Sequence, residues 1–140
     1  MIVTFTIPGE PTAKGRPRVT RYGTYTPKET VAYENLVKLM YREKYHNKML
    51  EGALIGTVTC YFPVPKSMPK YKKKLAGEFE IFPTKRPDCD NLAKAVFDAL
   101  NGIAYKDDSQ IVGMSVLKRY TLEAPMTEVI IREVDEREHE

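Results

Sequence analysis

The sequence is poor in the residues that build thiolate and imidazole metal sites. It has two cysteines, Cys60 and Cys89, and two histidines, His46 and His139. Two thiolates are too few for a zinc site built on cysteine. Cys60 lies in a strand-like run and is expected in the core, and both histidines are expected at the surface. A metal ion bound by this chain would therefore be held by carboxylate oxygens. No apolar run approaches the roughly 18 residues that suggest a membrane span. The start "MIVTFTIPGEP" lacks a basic segment followed by a long apolar one, so no signal peptide is expected. These absences predict a cytoplasmic protein with no membrane partner. There is also no internal repeat and no low-complexity segment.

What is present fits a folded domain. The 140 residues are 42% hydrophobic and 29% charged, which excludes general disorder and suits one domain with a modest core. The net charge of +3 understates the basic character. The tail "REVDEREHE" carries five acids and two arginines, and the rest of the chain has 20 Lys+Arg against 14 Asp+Glu. The expected organisation is a single domain over residues 1–131 with an acidic tail over 132–140. A polyanion is a plausible partner for such a surface, and a merely solvated basic surface is the alternative.

Patterning predicts the elements. "MIVTFTI" reads as a strand ending at Pro8-Gly9, followed by a long Pro-, Gly- and basic-rich loop to Pro27. Thr26, Pro27 and Glu29 form a helix start with a capping box. That helix is expected to run to about Lys48 and to bury Ala32, Leu36, Leu39 and Met40. "ALIGTVTCYFPV" is strand-like. Ser67 can cap a short helix that Gly77 ends, and residues 78–87 are irregular. A helix over Cys89–Leu100, stopped by Asn101-Gly102, buries Leu92, Val96, Phe97 and Leu100. "QIVGMSVLKRY" and "TEVIIREV" alternate as paired strands. The order predicts an α+β fold with a small mixed or antiparallel sheet packed on helices.

The stretch "KRPDCDNLAKAVFDALNGIAYKDDSQIV" concentrates acid in a basic chain. Asp88 and Asp90 open the helix, and each has a structural reading as a helix cap. Asp107 and Asp108 have one as turn residues. Residues 101–108 can reach back about 25 Å when extended, and the helix spans roughly 18 Å. A return to the helix start is therefore possible and would crowd three or four carboxylates. Such a group repels itself unless a cation offsets it, and its hard oxygens suit Mg²⁺ or Mn²⁺. Lys94 lies one turn after Asp90 on the same face. It reads either as an ion-pair partner of Asp90 or Asp98, or as a cation facing a scissile phosphate.

"RPDCDNLAKAVFDAL" followed by "YKDDSQI" resembles the signature of the RusA family of Holliday-junction resolvases. Asp88, Asp90, Asn91, Lys94, Asp107, Asp108 and Gln110 fall in register with that signature over residues 86–112. The resemblance implies a RusA-like α+β fold and a Mg²⁺-dependent nuclease. It implies catalytic roles for Asp88, Asp90, Lys94 and Asp108, metal ligation by Asp88, Asp90 and Asp108, and a lesser place near the metal for Asp107. Mn²⁺ is a possible substitute. The N-terminal loop is closer to phage-like and Gram-positive-type members. Lys85-Arg86-Pro87 stands where the best-known branch has a run of arginines, and Lys106 where that branch has an apolar residue.

With that resemblance, the basic segments read as DNA contacts. Lys14, Arg16, Arg18 and Arg21 have the composition of a phosphate clamp. Tyr22 and Tyr25 could stack on bases exposed at a branch point. Lys85 and Arg86 are expected at phosphates beside the cut. The run Lys66, Lys70, Lys72, Lys73 and Lys74 either touches a DNA arm or is a solvated helix face. The expected activity is resolution of four-way junctions by paired symmetric hydrolysis in DNA recombination and repair. A homodimer is implied by the family and by the junction's two-fold symmetry. The rival expectations are a metal-dependent nuclease for other branched DNA and a DNA-binding module that does not cut.

Overall fold

Every second residue of the strand Leu54–Pro63 is buried: Leu54, Gly56, Val58, Cys60 and Phe62. That alternation marks a sheet with one face in the core. The computed structural model describes residues 1–136. In order, the elements are β1 (Ile2–Pro8), β2 (Arg18–Thr20), β3 (Gly23–Tyr25), α1 (Lys28–Tyr45), β4 (Leu54–Pro63), α2 (Lys70–Gly77) and α3 (Cys89–Leu100). A 3-10 turn (Asp108–Gln110), β5 (Ile111–Thr121) and β6 (Met126–Glu133) follow.

The main sheet has the order β1-β6-β4-β5. β6 is antiparallel to both β1 and β4, and β4 is parallel to β5. The sheet is thus mixed, and the fold is α+β as the element order predicts. A parallel pair needs a crossover, and residues 64–110 supply it with α2 and α3. The core collects Val3, Phe5 and Ile7 of β1, Val129 and Ile131 of β6 and the β4 series against α1 and α3. Cys60 is in this core as expected, and burial pushes its thiol up to about 12. No helix among the described residues is long and apolar enough to cross a membrane.

α3 follows the sequence reading closely. Leu92, Val96, Phe97 and Leu100 are buried, together with Ala93, Ala95 and Ala99. The small alanines let the helix lie close to the sheet. Gly56 is part of that approach: a Cβ there would sit 2.6 Å from Cε1 and Cζ of Phe97. Gly56→Val is therefore expected to destabilise the fold by about 1–3 kcal/mol through overpacking. A lower urea midpoint with an unchanged m-value would confirm it, and an unchanged midpoint would contradict this packing.

Other expectations need correction. The loop after β1 is not continuous coil. Arg18–Thr20 and Gly23–Tyr25 pair as a short hairpin around Arg21-Tyr22, and Gly23 takes φ +126 to close the turn. Thr26 does not cap α1; Pro27 holds that position without a side-chain cap, and the helix ends at Tyr45. The buried stripe of α1 is Thr30, Tyr33, Val37 and Tyr41. Ala32 and Leu39 are exposed, and Leu36 and Met40 are half-buried. The aromatic rings explain the rotation: Tyr41 packs edge-on to Phe5, and the Tyr33 hydroxyl meets buried Thr127 at 2.9 Å. α2 begins at Lys70 after Pro69, so Ser67 is not its cap. Arg132 and Glu133, expected in the tail, are the last residues of β6. His46 is exposed as expected; His139 and the end of the tail lie outside the described residues.

Candidate nuclease site

The site depends on how the chain leaves α3. Asn101 follows the last helical residue, and Gly102 takes φ +78. The Gly102 amide then donates to the Tyr105 carbonyl at 2.8 Å. Tyr105 is fully buried, and its hydroxyl donates to the Phe97 carbonyl, back inside the helix. Burial pushes that hydroxyl's pKa upward, so it stays a donor. The chain is thereby folded back along α3. Asp107 caps the 3-10 turn, accepting from the Ser109 amide and hydroxyl. Those two bonds hold its carboxyl below the usual range. Gln110 completes a capping box and donates to the Gly52 carbonyl at 3.1 Å, pinning the turn to the start of β4.

The result is an open cleft of about 270 Å³. Asp90, Lys94 and Asp98 line it from α3, at the four-residue spacing of one helix face. Asp108 enters from the 3-10 turn, and Ala93, Phe97, Ile111 and Met114 form the apolar wall. The return predicted as possible thus brings Asp90, Lys94 and Asp108 to one cleft. Asp88 is outside its lining, at the cap position of α3 two residues before Asp90. Its extended backbone fits a cap, but its side chain makes no cap hydrogen bond. Asp107 is also outside the lining, and its carboxylate is committed to its own turn.

The side chains of Asp88, Asp90, Lys94 and Asp108 are exposed and make no hydrogen bond or ion pair with another described residue. Asp98 is not the partner of Lys94. It pairs with Lys14 at 3.1 Å, and Lys14 also pairs with Glu34 at 3.1 Å. The Lys14 amide donates to the Asn91 carbonyl, so this lysine stitches the N-terminal loop to both long helices. Its ammonium is already held by two carboxylates. Arg16, Arg18 and Arg21 extend beyond that stitch and are exposed. The Arg21 guanidinium lies 5.4 Å from the ring centroid of Tyr22, a residue that is 89% exposed. Tyr25 is the last residue of β3. Lys85 and Arg86 are exposed just before Asp88, and the Lys66 and Lys70–Lys74 cations form no ion pair among the described residues.

The fit to a metal rests on donor chemistry. Asp88, Asp90 and Asp108 offer hard carboxylate oxygens of the kind a divalent ion takes, and no cation or donor among the described residues engages them. Among the described residues, no three His, Cys, Asp or Glu groups are drawn together tightly enough to enclose an ion.

A family model, that of endodeoxyribonuclease RusA, matches residues 8–132. The chain belongs to this family. RusA-family membership makes it an endodeoxyribonuclease, a hydrolase of phosphodiester bonds within DNA. The chain is also similar to the uncharacterized protein YqaN of Bacillus subtilis (strain 168), at 41% identity over 138 residues, covering 94% of this chain and 96% of YqaN. The RusA match spans every aspartate and cation of the candidate site.

Two contributors to the site are not legible residue by residue. Tyr105 is one, because nothing in the local sequence pattern marks it as the buried anchor of the turn. The Lys14 stitch was hidden because a lysine among arginines reads as one more phosphate contact.

Proposed function

We propose that this RusA-family protein is a Mg²⁺-dependent resolvase of four-way DNA junctions, acting as a homodimer in cytoplasmic DNA recombination and repair. The reading is carried by one observation: Asp90, Lys94 and Asp108 share a cleft, with no ion pair to any of them among the described residues. Asp88, Asp90 and Asp108 would hold the metal, with Asp107 shaping the turn that presents Asp108. When bound, the cation would polarise the scissile phosphate and lower the pKa of water. Hydrolysis adds water across one P–O ester bond and leaves a phosphate monoester and a hydroxyl. Lys94 offers its ammonium to the negative charge that grows on the phosphate oxygens. Mn²⁺ fits the same oxygen donors.

Arg16, Arg18, Arg21, Lys85 and Arg86 would hold the backbone on either side, and Lys14 would order the loop that carries the first three. A two-fold substrate that takes two symmetric cuts calls for two copies of the site. The residues 1–131 are read as one functional unit.

The test is cleavage of a labelled four-way junction in Mg²⁺, beside linear duplex and flap DNA. Paired symmetric nicks confined to the junction are expected. Equal or faster cutting of flaps would make the protein a nuclease for other branched DNA. Binding without cutting in either Mg²⁺ or Mn²⁺ would make it a binding module. Replacing both Arg16 and Arg18 by alanine should remove two phosphate contacts. The slope of log K against log salt should then fall by about 1.8. An unchanged slope, measured by anisotropy across a salt series, would remove these arginines from the interface.

A further inference from the structure

β5 carries Met114, Val116, Lys118 and Tyr120 in register with Gly56, Val58, Cys60 and Phe62 of β4. Those β4 residues are buried on the helix-covered side, and directly paired residues share a face of the sheet. Lys118 is therefore a cation in a series where the pattern calls for an apolar side chain. It is half-buried and contacts no carboxylate among the described residues. Its ammonium donates instead to two backbone carbonyls, Lys85 at 2.6 Å and Pro87 at 2.9 Å. Charge-assisted bonds of this kind are stronger than neutral ones.

The two carbonyls flank Arg86, and the next residue after Pro87 is Asp88. The backbone of residues 81–87 has no other hydrogen bond among the described residues. One further tie follows immediately, where the Cys89 thiol lies 4.0 Å from the Val116 carbonyl on the same strand. The edge strand β5 thus grips the segment that enters α3, and Lys118 makes the strongest of its contacts.

We infer that Lys118 is a positioning residue that clamps the 85–87 backbone, so that Arg86 and Asp88 are presented in fixed relation to Asp90. Its effect on cutting rests on the nuclease reading above, whereas the clamp itself does not. A wandering 85–87 segment would leave Asp90 and Asp108 in their cleft but move Asp88, and misplacement of about 1 Å can lower a rate by about 10²-fold.

Lys118→Met keeps the length of the side chain and suits the apolar face, so melting should be unchanged. In the variant, trypsin should cut the Lys85–Arg86 bond about tenfold faster through local opening, with other sites unaffected. Junction cleavage should fall about 10²-fold and need more Mg²⁺ for half-maximal rate, a far larger loss than any in junction binding in EDTA, where only the placement of Arg86 changes. Lys118→Arg, which keeps two donors, should recover part of both effects. If Lys118→Met lowers the melting temperature, Lys118→Gln replaces it in the same assays. An unchanged trypsin rate at Lys85, or acceleration at every site alike in both variants, would overturn the clamp. Faster trypsin cleavage beside wild-type cutting and metal dependence would overturn the catalytic consequence. If the wild-type protein cuts no DNA, the nuclease reading fails by itself and the trypsin comparison still decides the clamp.

Discussion

Asp90→Asn is expected to abolish junction cleavage while junction binding survives or tightens. Asp90 lies in the cleft with Lys94 and Asp108, and its carboxylate has no hydrogen-bond or ion-pair partner among the described residues. Asparagine has the same shape, so the first turn of α3 should be undisturbed. What changes is charge: the amide is a far weaker ligand for Mg²⁺, and the remaining carboxylates would hold the proposed ion poorly. A loss of about 10³-fold in rate is the scale on which a charge-stabilising group is missed. Binding moves the other way. One negative charge at about 6 Å from a phosphate repels it by about 0.7 kcal/mol in water, so its removal in EDTA should lower Kd by up to about threefold. Single-turnover cleavage with saturating Mg²⁺, set beside anisotropy in EDTA, reads both quantities. Near wild-type cutting by Asp90→Asn would refute the ligand assignment, and a parallel loss of binding would mean that Asp90 supports the fold instead.

The contrast between Asp90 and Asp107 shows where sequence reasoning reaches its limit. Both belong to acidic pairs one would assign to a metal, and both also suit a cap or a turn. Helical periodicity placed Asp90, Lys94 and Asp98 on one face, because 3.6 residues per turn is a local rule. It could not say that Asp107 would spend its carboxylate on Ser109 and so leave Asp108 free. That outcome depends on the Tyr105 anchor and on Gln110 reaching Gly52, both contacts made after the chain has folded back. The same split runs through the fold. α3 was legible to the residue because alanine, leucine and a Gly stop all act locally. The stripe of α1 was not, because Tyr33 and Tyr41 bury their rings against Thr127 and Phe5 from β6 and β1. Polar-tipped aromatics look amphipathic in the sequence, and only a partner at the far end of the chain decides which way they turn. Lys14 and Lys118 were illegible for a related reason. A lysine's charge suggests a solvated or DNA-facing role, but two carboxylates hold the first and two carbonyls engage the second.

Lys94→Met should leave metal dependence and binding nearly intact and remove most of the rate. The argument begins with Asp98, which sits one turn after Lys94 and could have neutralised it. Lys14 takes that carboxylate at 3.1 Å, so Asp98 is not an ion-pair partner of Lys94. The cleft around it is walled by Ala93, Phe97, Ile111 and Met114. A bound DNA strand would displace water from that apolar wall and strengthen the field of the ammonium. In the ground state the phosphate already carries one negative charge, which the arginines and Lys85 would hold under the proposed function. The extra charge appears only as the ester bond breaks, and a group that meets it then acts on kcat more than on affinity. The expected loss is about 10²–10³-fold in kcat, with the Mg²⁺ concentration for half-maximal rate unchanged and the salt slope reduced by no more than about 0.9. Lys94→Arg should recover part of the rate, since the charge returns on a bulkier head. If Lys94→Met instead weakened binding in proportion to its rate, Lys94 would be one more backbone contact. Catalysis would then rest on the carboxylates and their ion alone.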